Sequence, residues 1–301
     1  MIKTMSFSIF MQHVVNGISI GSLYALIAIG YTMVYGILRL INFAHGDIFM
    51  MACYFVIFTM VNFNLPWFVS IPLVCILTVI LGVVTERIAY KPLRDAPRMS
   101  IMISAIGVSF LLENLATYLF TGVPKGFPEL PALTHIIHIG GVTFPVVSIL
   151  TPIITIILLF VLLYLLNHTK TGMAMRAVAK DYETAKLMGI KINFVISMTF
   201  VIGCFLASVG AVFWGSKYPS VYPLMGVMPG LKCFVAAVLG GIGNVPGAVL
   251  GGLLLGMSET LIVAFLPTMT GYRDAFAFIL LIIMLLVKPT GLLGEKVTDK
   301  V

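Results

Sequence analysis

Asn42, His45 and Asp47 sit together around Gly46 in the segment INFAHGDIFM, between two long apolar runs. At membrane depth such side chains must face a partner or a water-lined cavity, because hydrocarbon supplies no hydrogen bonds. The chemistry they suit there is recognition of a polar solute in transit. At the membrane surface the same residues would form an ordinary polar loop. One His beside one Asp is too small a set for a zinc or catalytic centre. Glu113, followed by Asn114, and Glu259 lie inside other apolar runs, where an acid serves an internal pair or a proton relay. With Asp47 these acids are too scattered for the ladder an ion-driven carrier uses. The stretch GGIGNVPG at 240–247, with Gly240, Gly241 and Gly243, lacks the Lys-Ser/Thr ending of a nucleotide-binding phosphate loop. Its glycines serve close backbone packing or free carbonyls at a broken helix. No nucleophile–base pair or two-acid constellation is visible, so no catalytic residue and no metal site is assigned.

A second kind of chemistry, the gripping of a partner protein, suits the segment 168–193. It is the longest polar interruption in the chain and carries Lys170, Arg176, Lys180, Lys186 and Lys191. Residues 172–180 read as a short helix, and Asp181 is placed to N-cap a second one at 182–188. Gly189 then occupies the position where a helix-terminating glycine belongs. Small residues permit close approach while the charges set register, and Arg176, Ala177, Asp181, Ala185 and Gly189 are the expected docking residues. An amphipathic linker resting on lipid headgroups is the alternative.

The elements that must position these groups are membrane helices. Sixty per cent of the 301 residues are hydrophobic and 10% are charged, which no soluble fold can cover. Apolar blocks of about 20 residues recur, and the alternation of a membrane β-barrel is absent. The fold class is therefore an all-α polytopic membrane protein. Spans are expected at about 9–29, 48–61, 67–86, 100–120, 148–167, 194–216, 248–266 and 273–287. Gly30 and Gly36 are read as dividing the first block, so that an apolar arm at 30–41 precedes the polar break. A matching arm at 231–240 precedes the glycine break. Discontinuous helices are thus expected near 30–47 and 231–247, and such paired breaks point to a transport pathway. Hydropathy alone gives eight crossings; counting both arms gives ten, with a cytoplasmic N-terminus carrying Lys3. Twelve of the 18 basic residues fall in 86–98, 168–193 and 288–301, which marks these segments and the C-terminus as cytoplasmic. The same distribution explains the net charge of +7 without nucleic acid. Pro92 and Pro97 are expected to keep the first of these loops non-helical. Cys53, Cys75, Cys204 and Cys233 show neither metal spacing nor a disulfide pattern. The first apolar run reads as a span rather than a removable signal peptide.

Six stretches in order along the chain carry a family resemblance: NGISIGSLYALIAIGYTMVYGILRLINFAHGDIFM at 16–50, ERIAYKPLR at 86–94, ISAIGVSFLLEN at 103–114, TGMAMRAVAKDYETAKLMGIKINFVISMTFVIG at 171–203, FVAAVLGGIGNVPGAVLGGLLLGMSE at 234–259 and KPTGLLG at 288–294. The chain resembles the permease subunits of ABC importers for branched-chain amino acids, of the LivH type. The resemblance implies one transmembrane permease domain over 1–301, with a cytoplasmic ATPase-coupling segment at 168–193, in a bacterial inner membrane. It implies two ABC ATPase subunits, a second and related permease chain, and an extracytoplasmic amino-acid-binding protein. The chain itself would bind no cofactor; ATP and Mg would act in the ATPase subunits. The solute path is expected past Asn42, His45, Asp47, Glu113, Asn114, Gly240, Gly241 and Gly243. An ion-coupled carrier, or a passive channel for amides or urea, is the alternative; neither needs a docking platform.

Overall fold

The computed structural model describes residues 7–39, 41–94, 96–139 and 142–294. The expectations placed on Lys3, Lys296 and Lys300 lie outside these residues. In hydrocarbon a segment must satisfy its own backbone polar groups, and the long Val/Ile/Leu/Phe runs do so as helices. Eight helices among the described residues are long and apolar enough to cross a membrane.

The longest is α1 (Phe7–Leu38), 32 residues without interruption. At 1.5 Å per residue it spans about 48 Å, well over the roughly 30 Å hydrocarbon core. Gly30 and Gly36 therefore do not divide it. They are packing positions instead: a Cβ on Gly30 would lie 2.7 Å from His45 Cε1, and one on Gly36 would lie 3.4 Å from Gly243 Cα. The helix ends one residue beyond Leu38, at Arg39, whose φ of 55° turns the chain back. The break accordingly lies earlier than the sequence suggests, between the end of α1 at Leu38 and the start of α2 at His45.

Helix α2 (His45–Ile57) continues through a π-helical turn, Phe58–Asn62. Its first residue packs on Gly30, eight residues before the end of α1 and so about 12 Å inside it. Helix α2 therefore begins within the bundle. Next come α3 (Trp67–Thr85), α4 (Arg98–Phe120), and a loop with strand β1 (Lys125–Gly126), the turn α5 (Pro131–Thr134) and the hairpin β2 (Ile136–Ile139) and β3 (Val142–Pro145). Helix α6 (Val146–His168) leads to two short helices, α7 (Lys170–Lys180) and α8 (Tyr182–Leu187). Helix α9 (Ile192–Lys217) is followed by β4 (Ser220–Val221), which pairs antiparallel with β1. Helices α10 (Val227–Gly240), α11 (Val245–Phe265) and α12 (Arg273–Val287) complete the bundle.

Three contacts fix which segments share an end. Arg39 Nη2 donates to the Ala179 carbonyl at 3.1 Å, placing the end of α1 beside α7. Arg94 bonds Asn193 and buried Glu86, which joins the end of α3 to the start of α9. The tail at 288–294 docks on the end of α10, beside the Gly36–Gly243 contact. The three basic segments thus lie at one end, as their shared charge requires. The opposite end holds the first turns of α1, where Gln12 Nε2 donates to the Thr143 carbonyl of β3 at 3.0 Å. The start of α1 and the basic segments therefore lie at opposite ends of the bundle. Because α1 is unbroken, its last turns are no separate arm; among the described residues eight helices are long and apolar enough to cross, and α10 is a shorter apolar one. The 86–98 loop also differs from expectation. It stays helical through a π turn, Glu86–Tyr90, and a 3₁₀ turn, Lys91–Leu93. Pro92 sits in the first turn of the latter, where no backbone donor is needed.

Helices α1 and α11 cross backbone to backbone. A Cβ on Gly252 would lie 2.6 Å from Ala25 N, and one on Gly21 would lie 2.7 Å from Leu253 Cα. Small residues drive such packing where lipid removes the hydrophobic incentive. A buried ionic cluster holds the neighbouring helices. Lys232 Nζ on α10 lies 2.9 Å from Glu259 Oε1 on α11 and 2.6 Å from Asp274 Oδ1 on α12. Tyr24 on α1 donates its hydroxyl to Glu259 Oε2 at 3.0 Å. Glu259 is thus the internal pair that its apolar setting suggests.

Candidate functional site

Two half-helices start at the same place. A Cβ on Gly230, in the first turn of α10, would lie 3.1 Å from Gly46 Cα and 3.3 Å from the Tyr31 hydroxyl. Only glycines allow the N-terminal turns of α2 and α10 to meet this closely. Helix α2 runs from the junction toward the far end, and α10 runs the other way, about 21 Å to the platform end. Beside the junction lies a cavity of about 220 Å³. Asp47, Glu113, Ser109 and Tyr31 are its acidic and hydroxyl-bearing residues, and Phe43, Phe110 and Leu231 its main apolar walls. Ile106 and Phe110 on α4 are exposed, so the cavity opens on that side.

The sequence-derived residues divide between cavity and scaffold. Asp47 is 2% exposed and lines the cavity; Ser109 Oγ donates to its Oδ2, and its Oδ1 has no partner. Glu113 lies one helical turn beyond Ser109 on the same wall. Asn42 and His45 are buried, yet they stand behind the cavity rather than in it. Tyr90 donates its hydroxyl to Asn42 Oδ1 at 2.6 Å, tying the break to the end of α3. The His45 ring fills the gap left by Gly30 and meets Tyr31 edge-on, with centroids 4.9 Å apart. Asn114 faces outward and returns its amide to the Phe110 carbonyl at 2.7 Å.

Gly240, Gly241 and Gly243 lie at the far end of α10 from the cavity. Gly241 and Gly243 take positive φ, 106° and 93°, which turns the chain into α11. Asn244 caps α11 by accepting from Gly247 N at 2.9 Å. The tail closes the junction: Leu292 N and Leu293 N donate to the Leu239 and Gly240 carbonyls, each at 2.9 Å. These carbonyls would otherwise be unsatisfied at the helix terminus. The glycine break is thus a fastened joint.

The platform forms as its caps dictate. Thr169 Oγ1 accepts from Gly172 N at 3.0 Å to start α7, and Asp181 Oδ1 accepts from Thr184 N at 3.1 Å to start α8. Gly189, at φ 82°, ends α8 with the Ile190 N to Ala185 O bond of a Schellman closure, 3.1 Å long. Arg176, Asp181 and Gly189 are exposed, while Ala177 is half-buried. Ala185 points into the bundle instead and is buried with Met175 and Val178. The exposed apolar tip is made by Leu187 and Met188, 87% and 78% exposed. Leu187 lies about 200° around α8 from buried Ala185, so the side that Ala185 buries turns Leu187 outward, and Met188 follows it at the end of the helix.

Residues 13–285 match the family model described as branched-chain amino acid transport system, permease component. The chain belongs to this family. Among the relatives of this permease family, the BraD high-affinity branched-chain amino acid permease of Pseudomonas aeruginosa is 41% identical, covering 97% of this chain and 98% of the relative. The LivH permease of Escherichia coli is 40% identical over 98% of this chain and 99% of its own. The probable LivH permease of Methanocaldococcus jannaschii is 27% identical over 91% and 89%. The chain is accordingly a multi-pass transport permease and not itself an enzyme.

Proposed function

We propose that this chain is the membrane-spanning subunit of an ATP-driven importer for branched-chain amino acids. The observation that carries the proposal beyond family membership is the capped α7–α8 platform, with Leu187 and Met188 unburied at its tip. A platform of that form serves a docking partner, and a secondary carrier or passive channel has no use for one. Two ABC ATPase subunits would seat on it, using ATP and Mg, while the permease binds no cofactor. A second, related permease would complete the path on the α4 side, where Ile106 and Phe110 leave the cavity open. An extracytoplasmic binding protein would deliver cargo at the far end. The platform end is assigned to the cytoplasm of a bacterial inner membrane by its Lys/Arg excess. ATP-driven closure of the ATPases would move the platform and so bias outward- against inward-facing states. That bias must come from their different affinities for the two.

Docking residues are then Leu187 and Met188 with Arg176, Ala177, Asp181 and Gly189 around them; Ala185 supports α8 from beneath. Fully burying a leucine contributes about 1.5–3 kcal/mol, so Leu187→Asp is expected to lower ATPase recovery about tenfold or more. Gly189→Val is expected to act similarly, by straining a positive φ where an added side chain has open space. Co-purification in mild detergent, normalised to permease abundance, reads both. Full ATPase recovery with both variants would put the coupling surface elsewhere.

A further inference from the structure

The cavity beside the junction has an unbalanced charge. Its walls carry two carboxylates, Asp47 and Glu113, and no Lys, Arg or His. Asp47 is 2% exposed; Ser109 engages its Oδ2, and Oδ1 is buried without a hydrogen-bond partner. A carboxylate in that state is costly, and a cation with several N–H donors relieves it through charge-assisted bonds. The adjoining walls do not suit an anion. Val227 N and Gly230 N, at the start of α10, donate to the Leu224 and Gly226 carbonyls at 3.3 and 2.8 Å. In the first turn of α2, Asp47 N and Ile48 N both donate to the Ala44 carbonyl. A metal ion is poorly served as well. Hard divalent cations such as calcium take about six to eight oxygen ligands. Among the described residues no group of three or more His, Cys, Asp or Glu comes together to hold one. The remaining walls are aromatic and apolar. Tyr31, Phe43 and Phe110 line the cavity with Leu231, and aromatic rings attract cations most where water is excluded. The volume of about 220 Å³ admits a small organic cation with a short aliphatic tail.

We propose that this cavity is a binding site for a primary ammonium group, with Asp47 and Glu113 as its acceptors and Phe43, Phe110 and Leu231 around the attached aliphatic chain. Ser109 fixes the Asp47 carboxylate through Oδ2 and leaves Oδ1 for the ligand. During transport the ammonium is that of the cargo, a role that rests on the reading of the chain as an amino-acid permease. The cargo's own carboxylate finds no donor on these walls and is left toward the open α4 side. The cavity therefore selects for the amine and the apolar tail, and neutralising the cargo carboxylate does not weaken binding.

The test uses the assembled importer, purified without its binding protein, and follows thermal unfolding against five added solutes. These are leucine, leucinamide and 3-methylbutylamine, which all carry the ammonium, 4-methylpentanoate, which carries only the carboxylate, and sodium chloride. Leucinamide and 3-methylbutylamine are expected to raise the unfolding midpoint at concentrations no higher than leucine requires. Matched 4-methylpentanoate and sodium chloride are expected to leave it unchanged. Asp47→Asn, which keeps the side-chain shape, is expected to raise the 3-methylbutylamine concentration for half-maximal effect about tenfold or more, as loss of a charge-assisted bond does. Glu113→Gln is expected to shift it in the same direction by less. The site is overturned by an absent amine response in the wild type, by an equal response to 4-methylpentanoate or sodium chloride, or by a leucine response that leucinamide lacks. An Asp47→Asn response equal to wild type overturns it too; should that variant not fold, an unchanged Glu113→Gln response does so in its place. Leucine uptake by the wild-type importer separates the two readings. Uptake without an amine response removes the ammonium site alone, whereas an amine response with failed uptake removes the cargo role and leaves the site.

Discussion

Replacing Lys232 by methionine is expected to cost the folded permease about 3–5 kcal/mol, the usual penalty for leaving a buried charge without its partner. Lys232 and Glu259 are each 4% exposed, so water cannot replace the lost ammonium, and Tyr24 offers Glu259 only one hydroxyl. Asp274 is half-open to its surroundings and contributes little to the loss. The double variant Lys232→Met, Glu259→Gln is expected to recover much of the stability, because it removes both charges at once. Buried thiols provide the readout. Cys53, Cys204 and Cys233 are inaccessible in the fold, so a thiol-reactive dye follows unfolding in detergent. A single variant that melts with wild type would show that the cluster carries no stability.

The crossing of α1 with α11 should be the least tolerant place in the bundle. Gly252→Leu is expected to abolish recovery of monodisperse protein, and Gly252→Ala to cost about 1–3 kcal/mol. The added atoms meet the backbone of Ala25, which cannot turn aside as a side chain can. Gly107→Ala on α4 is the matched control, since a Cβ there meets nothing within 4 Å. It should be neutral or slightly stabilising, as replacing a helical glycine usually is. Size-exclusion profiles and melting curves of the three variants test the pair. Equal behaviour of Gly252→Ala and Gly107→Ala would mean that α1 and α11 separate easily.

What the sequence makes legible is whatever depends on local pattern. Hydropathy finds the eight long apolar helices, and charge distribution places three distant segments at one end. The caps at Asp181 and Gly189 follow from residue type alone. Asp47 announces itself because an acid in an apolar run must be explained. Long-range pairing is less accessible. Lys232 is a single basic residue in an apolar helix, and only the fold brings Glu259 and Asp274 to it. Ser109 and Tyr90 read as ordinary polar punctuation until they bond Asp47 and Asn42. Gly30 and Gly36 are read as breaks because glycine weakens helices in water. In lipid the same residue lets another element approach, and here His45 and Gly243 occupy the space. That one difference accounts for the misplaced arm.

The central claim, that this permease works with ATPase partners to move branched-chain amino acids, is tested most directly by uptake into proteoliposomes. The purified chain is reconstituted with its co-purifying subunits and binding protein, and labelled leucine is followed with ATP inside or outside. Accumulation that requires ATP on the platform side, fails with a non-hydrolysable analogue and persists without any ion gradient is the predicted result. Accumulation driven by an ion gradient without ATP, or equilibration without accumulation, would contradict it.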